Sequence, residues 1–108
     1  MSIFQLEHLN LPARDPDAQV RWYADTFGLQ ADGNKARGPG ILIVFLPGEP
    51  VKRAPELHMG FRVSGNKALN EWALKFGSPV KHGEEFNAFQ IRDPEDNCLE
   101  IYCKKYDQ

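Results

Sequence analysis

The apolar positions of this chain alternate between two periods. From Asp15 to Gly28, Val20, Tyr23, Ala24 and Phe27 fall at i, i+3, i+4 and i+7, which predicts an amphipathic helix. Asp15 is placed to cap it, Pro16 suits the first helical position, and Gly28 suits a left-handed stop. The same grammar returns from Ser64 to Gly77, with Ser64 as the expected cap, Leu69, Trp72, Ala73 and Phe76 as the face, and Gly77 as the stop. Cap, face and stop all repeat at an offset of 49 residues. The helical period alone makes two unrelated helices look alike; agreement at both ends as well favours an internal duplication.

A strand-like run precedes each helix, Ile3 to Leu11 before the first and Leu57 to Val63 before the second. After the second helix, Val80 to Glu85, Ala88 to Arg92 and Cys98 to Cys103 read as three strands separated by turn-forming residues, giving a β-α-β-β-β unit. After the first helix there is one clear strand, Ile41 to Leu46, and a weak one near Leu29 to Asp32. The first copy is thus the truncated one, and its Gly33 to Gly40 stretch (GNKARGPG) reads as a flexible loop. The predicted class is α+β: two βαβββ-type modules, about 1–50 and about 55–108, within a single domain spanning 1–108, with incurved sheets and helices on their outer faces.

Composition narrows the functional classes. Hydrophobic residues make up 42% of the 108 positions, enough for an ordinary core. The formal net charge of −2 supplies no basic excess, so nucleic acid is not an expected partner. The longest apolar run, Ile41 to Leu46, is far short of a membrane span, and no secretory pattern opens the chain, so a cytoplasmic protein is expected. Cys98 and Cys103 would lie roughly 16 Å apart on one strand, too far for a disulfide.

Strand alternation also selects candidate chemistry. His8, His58 and Glu100 each fall on the strand face turned away from the expected core. Two imidazoles and a carboxylate are the donor set of a facial site for a divalent ion, with Fe, Zn, Mn or Ni preferred over Ca and Mg. Each residue taken singly reads as an ordinary strand side chain, and it is the symmetric placement in two copies that makes the set a candidate. Asn10, Arg62, Gln90 and Tyr102 share that face and are candidate substrate-binding residues, against a plain solvated-surface reading. His82 reads as exposed beside a turn, Trp22 as core or subunit contact, and Lys104-Lys105 is too short for a basic patch.

These residues resemble the vicinal oxygen chelate superfamily of glyoxalase I, the bleomycin and fosfomycin resistance proteins and the extradiol dioxygenases. The resemblance runs through Glu7-His8-Leu9-Asn10-Leu11, Trp22-Tyr23-Ala24-Asp25-Thr26-Phe27-Gly28-Leu29, His58-Met59-Gly60-Phe61-Arg62-Val63 and Asp93-Pro94-Glu95-Asp96-Asn97-Cys98-Leu99-Glu100-Ile101. It implies metal ligands at His8, His58 and Glu100. The family glycine of the closing turn is Asp96 here, a residue type that tolerates a left-handed backbone. The fourth, glutamate ligand implied for glyoxalase I has no counterpart, because Ile41 to Leu46 offers no carboxylate or amide. Ala88 and Gln90 stand where fosfomycin-modifying relatives carry hydroxyls, which weakens that reading.

The resemblance therefore implies a small metal-dependent enzyme acting on vicinal oxygens of a small substrate, dioxygenase-like rather than glyoxalase I-like. The alternative is a metal-free binding protein of the drug-sequestering, bleomycin resistance type. Two modules per chain imply a homodimer, in which His8 of one copy meets His58 and Glu100 of the other.

Overall fold

The computed structural model describes residues 1–51 and 56–107, so the expected module ends at 55 and 108 lie outside the described residues. In chain order the elements are β1 (Leu9–Ala13), α1 (Pro16–Phe27), β2 (Gln30–Asp32), β3 (Lys35–Gly38), β4 (Ile41–Pro47), β5 (Met59–Arg62), α2 (Asn66–Phe76), β6 (Lys81–His82), β7 (Phe86–Arg92) and β8 (Cys98–Lys104). They form two mixed four-stranded sheets, ordered β1-β4-β3-β2 and β5-β8-β7-β6. Each sheet has one parallel pair, β1 with β4 or β5 with β8, while its remaining pairs are antiparallel. The α+β class and the paired βαβββ organisation are those predicted. The first copy is shorter through its short hairpin strands and retains all four of them. By chain contacts the protein divides into Met1–Lys52 with Pro94–Asp96, and Arg53–Asp93 with Asn97–Gln108.

In the first unit, α1 packs Val20 and Tyr23 against Leu11 and Ala13 of β1, Ala36 of β3, and Ile43 and Phe45 of β4, all buried. The Tyr23 and Phe45 rings lie 5.2 Å apart, and burying a side chain of this size contributes about 2 to 3 kcal/mol. Trp22 is half-buried and meets Tyr23 and Phe27 edge-on, at 4.9 and 5.7 Å. As predicted, the Asp15 side chain accepts from the Ala18 amide and Gly28 closes the helix in a left-handed conformation.

In the second unit, α2 sets Leu69 and Ala73 against the buried Phe89 and Ile91 of β7 and the buried Leu99, Ile101 and Cys103 of β8. Gly77 ends α2, with the Gly77 and Ser78 amides returning to the carbonyls of Leu74 and Ala73. The N-terminus departs from expectation: the cap is Gly65, not Ser64, and makes no side-chain bond. Asn66 instead binds the C-terminal turn. Its amide donates to the Lys105 and Asp107 carbonyls at 2.8 and 2.7 Å and accepts from Asn87 at 2.8 Å.

Three further expectations are corrected. The strand expected from Ile3 begins only at Leu9, and Ile3, Phe4 and Leu6 are 92%, 86% and 99% exposed. The physical reason is register. Leu9 faces Ile43 in a parallel pair and β4 begins at Ile41, so the chain upstream of Glu7 has no neighbour in β4. Likewise, β5 begins at Met59, not Leu57. The GNKARGPG stretch is not a loop throughout, because Gly33 and Asn34 make a two-residue hairpin turn and Lys35–Gly38 is β3. Gly33 takes a φ of 60° there, and Asn34 fixes the turn by exchanging bonds with Phe45.

Candidate metal centre

The motif Asp93-Pro94-Glu95-Asp96-Asn97 delivers β8 to its place. The buried Asp93 carboxylate accepts from the Asn97 backbone amide at 2.9 Å and from its side chain at 2.7 Å, while the Asp93 amide donates to the Asn97 carbonyl. Asp96 has a φ of 68°, as expected for the position held by glycine in the resemblance. The Glu95 carboxylate receives the Arg14 and Asp15 amides at 2.6 and 2.9 Å, just before α1.

Register then assembles one face of the second sheet. Gly60, Glu100 and Gln90 stand in a row across β5, β8 and β7. The adjacent row on the same face is Arg62, Tyr102, Ala88 and Lys81. Leu99, Ile101 and Cys103 alternate onto the buried face, while Glu100 and Tyr102 are half-buried on the other. Cys98 departs from that alternation: it is buried at the start of β8.

His58 lies just before β5, and its Nε2 is 3.6 Å from Oε1 of Glu100, with side chains 27% and 29% exposed. That separation exceeds a good hydrogen bond. It is slightly wider than the spacing of about 3 to 3.5 Å between two donors that each lie about 2.1 Å from one ion, so the pair stands near that spacing without reaching it.

His8 likewise lies just before its strand, β1, and belongs to the first unit, where its Nδ1 is 3.1 Å from Glu7. Asn10, also in the first unit, is exposed and faces Val44. Among the described residues, no group of three or more His, Cys, Asp or Glu forms a metal-sized cluster.

The register also locates the position at which the resemblance implies a fourth ligand for glyoxalase I. Asn10 opposite Val44 in the first sheet corresponds to Gly60 opposite Glu100 in the second. Val44 therefore holds the place of Glu100 in the other copy.

Of the candidate substrate-binding residues, Gln90 and Tyr102 lie on the same face as Glu100, and Arg62 does so by register but is engaged elsewhere. Its guanidinium binds Asp107 at 3.0 Å and holds that carboxyl below the usual carboxylate range. Burial pushes the Cys103 thiol up. His82 is exposed, as expected.

Beside Glu100 the face sinks into a hollow of about 390 Å³ lined by Lys81, Phe86, Ala88 and Gln90. Lys81 and Phe86 were not selected by sequence reasoning. The alternation of the short β6–β7 hairpin was the signal available for them.

A strand-helix-three-strand unit occurring twice, each with a histidine just ahead of its first strand, is a distinctive topology. The protein is similar to the oxidase ChaP-H2, with a TM-score of 0.74, 21% identity and coverage of 97% of either chain. It also resembles a Bacillus cereus protein described as a possible glyoxalase, with a TM-score of 0.70 and 22% identity over 92% of this chain and 98% of that one. The lactoylglutathione lyase of Agrobacterium tumefaciens follows, with a TM-score of 0.65 and 19% identity over 92% of each. This chain has the glyoxalase-like fold. No protein-family model matches the sequence, nor does any curated protein. The glyoxalase-like fold accounts for the double βαβββ order. Identity near one-fifth carries the fold alone, and a shared fold hosts many chemistries.

Proposed function

We propose that the protein is a small metal-dependent enzyme in which His8, His58 and Glu100 hold a divalent ion, Fe, Zn, Mn or Ni. The observation that carries this reading is the His58–Glu100 pair, set 3.6 Å apart and half-buried at the edge of an open sheet face. The ion would supply Lewis acidity toward vicinal oxygens of a small substrate. The chain's own residues would fix those oxygens near Glu100, with Gln90 and Tyr102 as neighbouring polar contacts and Asn10 as a contact from the first unit. Arg62, on that face by register and paired with Asp107, is the remaining candidate substrate contact. Val44 at the fourth-ligand position supports a three-ligand, dioxygenase-like reaction over the glyoxalase I type.

The reading takes residues 1–108 as one functional domain and extends to a homodimer. The bare apolar segment Ile3, Phe4 and Leu6 supports the dimer, as do β1 and β5, each an edge strand of its sheet. None of the described helices is long and apolar enough to cross a membrane. Two free cysteines, Cys98 and Cys103, support a reducing, cytoplasmic compartment. The hollow beside Glu100 favours a second reading, a metal-free small-molecule binder.

Metal analysis of chelator-free protein separates the two. Stoichiometric metal that is lost in the His8→Ala, Glu100→Ala double variant supports the enzyme. Absence of metal from both proteins leaves the binder. Sedimentation showing a monomer that still carries stoichiometric metal rules out ligands shared between copies.

A further inference from the structure

A second hollow, also of about 390 Å³, lies where the turn between β6 and β7 meets the turn that follows β8. None of His8, His58 and Glu100 lines it. Its frame is tied by hydrogen bonds to the backbone. The Gly83 amide donates to the Phe86 carbonyl at 2.9 Å, and a side chain at Gly83 would meet that oxygen at 2.8 Å, so glycine lets the hairpin turn close this tightly. Lys105 joins the two turns: its amide donates to the Glu85 carbonyl at 2.8 Å and its ammonium to the Gly83 carbonyl at 2.9 Å. The Lys104 amide donates to the Asp107 carboxylate at 3.1 Å, and Arg62 donates to the same oxygen at 3.0 Å. The hollow is therefore preformed.

Three carboxylates and two ammonium groups line it, and they are not equally engaged. Asp107 is held by Arg62 and the Lys104 amide, and the Lys105 ammonium by Gly83. Glu84, Glu85 and Lys104 remain. All three are exposed, and among the described residues none makes an ion pair. Both signs of charge thus line one cavity without neutralising each other. Apolar surface comes from Phe86, 44% exposed, and Tyr106, 86% exposed, with Tyr102 bracing the Phe86 ring edge-on at 5.7 Å. A simple anion would meet two like charges here, and a simple cation would leave Lys104 unanswered. A small molecule bearing both signs and an apolar body answers every group.

We propose that this hollow takes a free α-amino acid with an apolar side chain, its ammonium at Glu84 and Glu85, its carboxylate at Lys104 and its side chain against Phe86 and Tyr106. The volume is at the small end for ligand sites and suits a molecule of that size. The assignment is independent of the metal reading, because no candidate metal ligand takes part.

Leucine, N-acetyl-leucine and leucinamide, titrated into metal-free protein and followed by amide NMR shifts, test it. The first carries both charges, the second lacks the ammonium and the third lacks the carboxylate. Saturable shifts in both turns, at Glu84 to Phe86 and at Lys104 to Tyr106, are expected for leucine. Each derivative should bind about threefold more weakly, the size of one exposed ion pair. The double variant Glu84→Gln, Glu85→Gln should lose the preference for leucine over N-acetyl-leucine, and Lys104→Met the preference over leucinamide. All three residues are exposed, so neither variant threatens folding. No saturation in either turn up to about 10 mM leucine overturns the proposal. Equal affinity for the three ligands, or preferences that survive in both variants, overturns it too.

Discussion

Asn66 is the side chain on which the C-terminal end of the second unit depends, and replacing it has a calculable cost. Its amide group donates two bonds to backbone carbonyls, Lys105 at 2.8 Å and Asp107 at 2.7 Å, and its oxygen accepts from Asn87 at 2.8 Å and the Cys103 thiol at 3.4 Å. Asn66→Ala deletes all of these at once. Two neutral bonds to carbonyls are worth about 1 kcal/mol each, and leaving the Asn87 donor buried adds about 1 kcal/mol, for a loss of roughly 3 kcal/mol. On a chain of this size that lowers Tm by roughly 10 to 15 °C.

Asn66→Asp is the sharper probe because it conserves shape. A carboxylate then meets two carbonyl oxygens with no proton between them, so the loss at neutral pH should exceed that of alanine. Repulsion by the carbonyls raises the folded-state pKa of the introduced carboxyl. Its protonated form is therefore favoured in the folded protein, and the deficit relative to wild type should shrink as pH falls through that raised value. Urea denaturation of the three proteins at pH 7 and pH 5 measures both effects. An Asn66→Asp protein within 1 kcal/mol of wild type at pH 7 would falsify the hydrogen-bond assignment. Since the same turn carries Asp107, loosening it should also release Arg62, visible as altered Arg62 side-chain NMR shifts.

The remaining predictions address the turn, the acid response and the metal. Asp96→Gly should stabilise the protein by about 1 kcal/mol, because φ at 68° strains any side chain; an unchanged denaturation midpoint contradicts this. Asp107 has a lowered pKa through Arg62, so its contribution is complete above the ordinary aspartate range and fades as pH falls through the folded value. Asp107→Asn should accordingly be less stable than wild type at pH 7 and indistinguishable from it in strong acid. Val44→Glu supplies a carboxylate at the register position equivalent to Glu100 and should raise divalent-ion affinity about tenfold by calorimetry; lower affinity counts against a vacancy there.

Much of this fold is legible locally. Asp15, Gly28 and Gly77 announce the helix ends they form, and the left-handed role of Asp96 follows from its residue type and place in the motif. What local pattern misses is set by partners distant in sequence. Ser64 looks like a cap, but Asn66 finds the carbonyls of Lys105 and Asp107, and the helix starts after Gly65. Ile3 to Glu7 has strand composition, yet β4 does not extend far enough to pair with it. The Gly and Pro content around Lys35–Gly38 conceals a strand that antiparallel pairing on both edges sustains. Within the candidate site, strand parity placed Glu100, Gln90 and Tyr102 on one face, whereas the diversion of Arg62 to Asp107 depended on how the chain end folds back.

The duplication reads as two interchangeable halves, but Glu95 breaks that symmetry. It lies in the hairpin tip that groups with the first unit, and its carboxylate receives the two amides that lead into α1. A fragment cut after residue 52 would therefore begin its helix with those donors unanswered, while the complementary fragment would carry a stranded carboxylate. Mixing two such fragments should restore what neither holds alone.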